Sequence, residues 1–136
     1  DLHRLGELTV ICDCDVIQAD GGTRTASITG AWVAAWDAFE MWRTAGRCKT
    51  NPLFGQVAAV SVGMVGGRLL LDLDYREDSQ AEIDMNVVMN GKGELVEVQG
   101  TGEQVSFSRA TLNEMLDMAQ AGIDGLLEKQ RAAIGR

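Results

Sequence analysis

Apolar and polar residues alternate along residues 8–17. Leu8, Val10, Cys12, Cys14 and Val16 fall on one face, and Thr9, Ile11, Asp13, Asp15 and Ile17 on the other. A period of two predicts a half-buried strand. The period then changes. Over residues 23–45 the apolar positions Ile28, Trp32, Ala35, Trp36, Phe39 and Trp42 recur three and four apart, which predicts a helix that Gly46 is placed to stop. The tryptophan stripe fits core packing against a sheet better than a platform for stacking bases. Residues 51–55 hold the only proline and read as a loop. Residues 57–65 read as a strand, Gly66-Gly67 as a hairpin turn, and residues 68–75 as the returning strand. After a polar break at 76–81, residues 82–89 alternate again, and Asn90-Gly91-Lys92-Gly93 turns them back into residues 94–101. A last helix is predicted from Ser108 to about Ile134, with Leu112, Met115, Leu116, Ala119, Ile123, Leu126 and Leu127 as its apolar stripe. Thr111 and Glu114 have capping-box spacing near its start. The order strand, helix, four strands, helix predicts an α+β fold, a mixed or antiparallel sheet covered on one face by two long helices.

Composition narrows the reading. The 136 residues, 46% of them apolar, fit one domain or part of one, residues 1–136, with enough length to bury a core. No apolar run is long enough for a membrane helix, so no membrane partner is expected. The chain opens on Asp1 with no initiator Met, as a piece of a longer protein would. Twenty acidic residues against twelve basic ones give a net charge of −8. That disfavours a free-standing nucleic-acid binder, whose face is usually basic, unless the basic surface lies elsewhere. Cys12 and Cys14, one residue apart, suit neither a disulfide nor a zinc site, and a sparse, odd count of three suits a reducing cytoplasm. His3 is the only histidine, and it reads as a surface residue. No Ser/His/Asp or Cys/His arrangement can be assembled, which argues against covalent hydrolysis.

Two segments carry candidate chemistry. The run Gln18-Ala19-Asp20-Gly21-Gly22-Thr23-Arg24-Thr25 joins the first predicted strand to the first long helix. Paired glycines permit a tight turn, and the helix start offers unpaired N–H groups with the positive end of its dipole. The Thr23 hydroxyl and the forked guanidinium of Arg24 would complete an oxyanion site, most simply for phosphate. A plain turn satisfies the same local pattern. The second segment crowds Asp72, Asp74, Glu77, Asp78, Glu82 and Asp84 into thirteen positions. A solvated acidic edge is one reading. The other starts from Ile83, Met85, Val87 and Met89, whose burial would force Asp84 and Asn86 to the opposite face, with Asp78 in reach. Close carboxylates repel unless a cation lies between them, and oxygen ligands favour Mg²⁺ or Mn²⁺. Asp13 and Asp15 read as solvent-facing or structurally hydrogen-bonded, ahead of lining the same cleft.

The runs CDCDVIQADGGTRTASITGA and LDLDYREDSQAEIDMNVVMNGKGELVEVQGTGE, with the closing helix, resemble the C-terminal half of the bacterial ribonuclease PH family over essentially the whole chain. The resemblance implies a ribonuclease PH-like, ribosomal protein S5 domain 2-like two-layer fold. It implies a phosphate-dependent 3′-to-5′ exoribonuclease, a transfer RNA nucleotidyltransferase that trims transfer RNA precursors and releases nucleoside diphosphates. Polynucleotide phosphorylase and exosome ring subunits are relatives of that family, whose six subunits form a ring as a trimer of dimers. By resemblance, Gly22, Thr23 and Arg24 bind phosphate, and Asp78 and Asp84 are the catalytic and metal-holding pair. The family's N-terminal half, which supplies a further phosphate-contacting arginine and basic RNA-holding loops, is absent here. A chain without it is expected to be weakly active or inactive alone. Two other functions fit less of the pattern. One is a catalytically inactive RNA-binding or ring-assembly subunit. The other is a metal-dependent nuclease releasing monophosphates.

Overall fold

The computed structural model of the chain describes residues 1–135. A short helix α1 (Leu2–Leu5) precedes the long helix α2 (Thr23–Thr44). Strands β1 (Val57–Val65) and β2 (Arg68–Leu71), the short helix α3 (Tyr75–Asp78), and strands β3 (Ile83–Asn90) and β4 (Leu95–Gly102) follow, and α4 (Arg109–Ala133) closes the chain. The four strands form one sheet in the order β2-β1-β3-β4, and every pairing is antiparallel. For β1–β2 and β3–β4 antiparallel pairing follows from the short turns, since a parallel neighbour needs a long crossover.

Alternation decides what each sheet face meets. Ala58, Val60 and Val62 of β1 and Ile83, Met85, Val87 and Met89 of β3 are buried against Met115, Ala119, Ile123 and Leu127 of α4. These are the stripe residues expected of the last helix, spaced to lie on one side of it. Fully burying one such side chain contributes about 1.5–3 kcal/mol before the cost of ordering the chain. Ser108 caps α4, its hydroxyl accepting from Thr111 N–H at 3.0 Å. The Thr111/Glu114 spacing therefore lies one turn inside the helix and is not its cap.

Helix α2 lies along β1 where β2 is too short to reach. The Thr29 hydroxyl accepts from Ala59 N–H at 3.0 Å and donates to Ala59 C=O at 3.2 Å, completing an edge no strand pairs. Trp32 and Trp36 are buried and stacked at 5.6 Å, and Trp32 Nε1 donates to Gly55 C=O at 2.7 Å. Trp32 and Trp36 are thus core residues, each stacked on the other. At the far end, Gln130 Nε2 joins the two long helices by donating to Thr29 C=O and Val57 C=O.

The first predicted strand does not form. Residues 8–17 have no strand assignment, and Ile11 and Ile17 are 84% and 96% exposed. Strand backbone must be paired in a ladder. Among the described residues, no backbone hydrogen bond joins residues 9–21 to another element. The alternation is real, but its partner is not in these strands. The return strand is also shorter than residues 68–75. Asp72 takes a left-handed conformation (φ 58°), which ends β2 at Leu71. The polar break then opens as helix α3, started by a reciprocal cap: Asp74 accepts from Glu77 N–H, and Glu77 accepts from Asp74 N–H.

Candidate active site

Gly22 stands at the start of α2 in a left-handed conformation (φ 67°), and no side chain caps the helix. The nearby hydroxyls of Thr25 and Ser27 turn back onto the carbonyls of Gly22 and Thr23. The N–H groups of the first turn are therefore left to solvent or to a ligand, at the positive end of a 22-residue helix. Beneath this turn lies Ser61, only 3% exposed. Its Oγ lacks a hydrogen-bond partner and sits 3.4 Å from where a Gly22 side chain would begin.

The glycine loop rests directly on the acidic loop. A Cβ on Gly21 would overlap the Leu73 carbonyl oxygen, so only glycine permits this approach. Beside it, Asp20 Oδ1 accepts from Tyr75 N–H at 2.7 Å. Tyr75 is the first residue of α3, whose last is Asp78. Asp72, just before this loop, donates its N–H to Ser61 C=O at 2.8 Å. Two segments about fifty residues apart in sequence are thus one packed unit.

Asp84 enters from β3. It pairs in register with Gly63 of β1 and Thr101 of β4, and Asn86 pairs with Ser61. Because Met85 and Val87 face α4, Asp84, Asn86 and Ser61 share the opposite face, the one against which Gly22 lies. Asp84 is half-buried, and its carboxyl is held above the usual range, first by burial and then by the negative charges of Asp78 and Glu103. Asp78 and Asp84 are therefore electrostatic neighbours. Among the described residues, no group of three or more His, Cys, Asp or Glu is arranged to hold a metal ion. A crowded pair of carboxylates still fits magnesium, which is commonly held by one or two carboxylates and the phosphates of its substrate.

Arg24 takes a different partner. Its guanidinium forks onto both oxygens of Glu97, at 2.8 and 2.9 Å, across the same sheet face. Glu97 is opposite Val88, four residues along β3 from Asp84, or about 13 Å at the usual rise. The Gly22 turn stands at the Ser61–Asn86 row between them. Asp13 and Asp15 are exposed in the unpaired segment, as is His3 on α1. Cys12, Cys14 and Cys48 are free thiols. A broad groove of about 1190 Å³, lined by Trp32, Trp36, Phe54, Asn90 and Arg131 among others, contains none of the candidate residues.

Four residues beside this site carry no signal in the sequence. Glu97 and Glu103 lie on or just past β4, far from either motif, and only strand register brings them near. Ser61 reads as one more strand residue. Asp20 lies within the glycine motif, but its hydrogen-bond partner is 55 positions away.

Comparison with known proteins supplies the family. The profile of the 3′ exoribonuclease family, domain 2, matches residues 55–122. The chain is 57% identical over 135 residues to a ribonuclease PH of Corynebacterium glutamicum (strain R), covering 99% of this chain and 55% of that protein. It is 60% identical over 136 residues to a ribonuclease PH of Bacillus mycoides (strain KBAB4), covering 99% and 56%. The chain thus spans about half the length of the curated relatives it matches. Two solved structures share the fold. Rice (Oryza sativa) Rrp46 aligns over 88% of this chain and 51% of its own, with TM-score 0.67 and 17% identity. An Archaeoglobus fulgidus exosome with RNA bound to the active site aligns over 81% and 44%, with TM-score 0.66 and 20% identity. With the profile match over half its length and these relatives along the rest, the chain belongs to the 3′ exoribonuclease family, through that family's domain 2.

Proposed function

We propose that this chain is the C-terminal portion of a ribonuclease PH, a phosphate-dependent exoribonuclease that shortens RNA from its 3′ end and releases nucleoside diphosphates. The observation that carries the reading is the packing of the Gly21–Gly22 turn on the loop leading to Asp78. An oxyanion-binding helix start and a carboxylate pair on one sheet face are what phosphoryl transfer needs, because its catalysis is positioning plus charge stabilisation.

In this reading, inorganic phosphate is the nucleophile and no protein nucleophile is required. Gly22, the first-turn N–H groups and Thr23 hold it. Arg24 leaves Glu97 to fork onto two of its oxygens. A phosphate oxygen attacks the phosphorus of the terminal phosphodiester, and the bond to the 3′-oxygen of the shortened RNA breaks. One carboxylate of the Asp78–Asp84 pair would assist proton transfer to that leaving oxygen while the other stays ionised. Asp78 and Asp84 would hold Mg²⁺ or Mn²⁺, which when bound offsets negative charge on the phosphates.

The substrate we infer is the 3′ end of transfer RNA precursors, and the assembly a hexameric ring, a trimer of dimers. The N-terminal half of the subunit would complete the RNA-holding surface, which suits a chain whose own net charge is −8. The exposed alternating residues 8–17 fit a strand awaiting that half. Free thiols suit a cytoplasmic setting. The test is product analysis on the complete subunit with 3′-labelled RNA. Nucleoside diphosphate released only when phosphate is added supports the reading. Nucleoside monophosphate released without phosphate refutes it in favour of hydrolysis.

A further inference from the structure

We propose that Asp20 is a positioning residue that holds the phosphate loop and the acidic loop at a set separation; the proposal rests on the phosphorolytic reading above. Asp20 lies three residues before Thr23 and four before Arg24, and its partner Tyr75 lies three before Asp78. The Asp20–Tyr75 bond is thus at the junction of the two halves of the site. Among the described residues it is the one hydrogen bond between residues 18–24 and residues 72–78. The contact of Gly21 on Leu73 and Asp74 beside it is packing and gives no fixed direction.

Starting α3 does not account for Asp20. The reciprocal cap of Asp74 and Glu77 starts the helix from within its own segment, using the N–H groups of Asp74 and Glu77, and it leaves Tyr75 N–H for a partner from elsewhere, which is Asp20. A carboxylate on the surface would be solvated without loss, yet this one is directed across the chain onto a backbone donor. A charge-assisted bond is short and directional, so it sets an angle as well as a distance. A reacting geometry displaced by about 1 Å can lose 10²-fold in rate, which gives such a tether its leverage.

The bond can be cut from either side in the complete subunit. Asp20→Ala removes the acceptor, and Asp20→Asn keeps an oxygen that accepts the same bond. Tyr75→Pro removes the donor at the first helical position, where proline is tolerated, and Asp74 before it is already extended (ψ 171°). Tyr75→Ala keeps the N–H and serves as the reference for loss of the ring. Steady-state kinetics are referred to folded subunit, measured by thermal melting. Asp20→Ala and Tyr75→Pro should each lower kcat about tenfold or more, because alignment is lost. Their KM for phosphate should stay within about threefold, because the binding groups remain. Asp20→Asn should restore most of the turnover. The double variant should be no worse than either single one, because both cut one bond.

Wild-type kcat in folded Asp20→Ala overturns the proposal. So does Asp20→Asn as impaired as Asp20→Ala, which would make the charge, not the tether, the active property. If Asp20→Ala does not fold, Tyr75→Pro against Tyr75→Ala decides the question alone. A wild-type subunit with no phosphate-dependent turnover overturns the function reading and this proposal with it, whereas active wild type with unaffected variants overturns this proposal only.

Discussion

Gly21→Ala puts the junction of the two loops under the most direct strain. The new Cβ would overlap the Leu73 carbonyl oxygen and lie 2.9 Å from the carbonyl carbons of Leu73 and Asp74. Relaxed carbon contacts are about 3.5–4.0 Å, so the carbons alone require the loops to part by roughly 0.6–1.1 Å. Both sides of the contact are backbone, and no side chain can rotate away to absorb the clash. A displacement of about 1 Å between reacting groups costs on the order of 10²-fold, or about 2.7 kcal/mol of transition-state stabilisation. The expected result is a fall of about 10² in kcat/KM for phosphorolysis of a 3′-labelled RNA by the complete subunit, with the α4–sheet core intact by circular dichroism. Gly30→Ala is the matching control. It lies within α2, a Cβ there meets nothing within 4 Å, and it should stabilise the protein by about 0.5–1 kcal/mol without slowing turnover. Folded Gly21→Ala with wild-type kcat/KM would refute the claim that the approach of these loops sets the reaction geometry.

Three further outcomes are expected. Glu97→Gln should lower the KM for phosphate by up to about fivefold, because an exposed ion pair of roughly 0.2–1 kcal/mol no longer competes for Arg24; an unchanged or higher KM contradicts this. Asp84 has its folded pKa raised by burial and by Asp78 and Glu103, so its contribution to stability is fully present below the unfolded carboxyl pKa and is lost as pH rises through the folded one. Asp84→Asn should therefore melt higher than wild type at neutral pH in metal-free buffer, lack that decline with pH, and lose turnover; a lower melting temperature at neutral pH opposes the assignment. Ile123→Ala removes a fully buried α4 side chain and should cost about 2–5 kcal/mol in denaturant unfolding, and a loss below about 1 kcal/mol would mean that the α4 stripe is not the core.

What was legible in the sequence followed from local physics. The α4 stripe, the β3 alternation and the turns at Gly66-Gly67 and Asn90–Gly93 depend on residues a few positions apart, and they formed as expected. The side of the sheet on which Asp84 lies also followed, because its buried neighbours leave it no other. Residues 8–17 show the limit of that reasoning. Alternation states that a segment is suited to a sheet, but a strand exists only where another edge accepts its backbone. Asp72 shows a second limit, since a non-glycine residue in a left-handed conformation cut short a run that otherwise reads as strand. The site itself was half legible. The candidate groups are contiguous in two motifs, whereas Glu97 on Arg24, Glu103 beside Asp84 and Asp20 on Tyr75 arise from register and loop packing across the fold.

The central claim is that the start of α2 and the Asp78–Asp84 pair serve one reaction on one face of the sheet. A crystal structure of the complete subunit soaked with inorganic phosphate tests it most directly. The account predicts the anion at the first turn of α2, about 3 Å from the N–H groups of Thr23 and Arg24, with Arg24 released from Glu97 and turned onto it. Phosphate bound only in the groove beside Trp36, with Arg24 still paired to Glu97, would contradict the account.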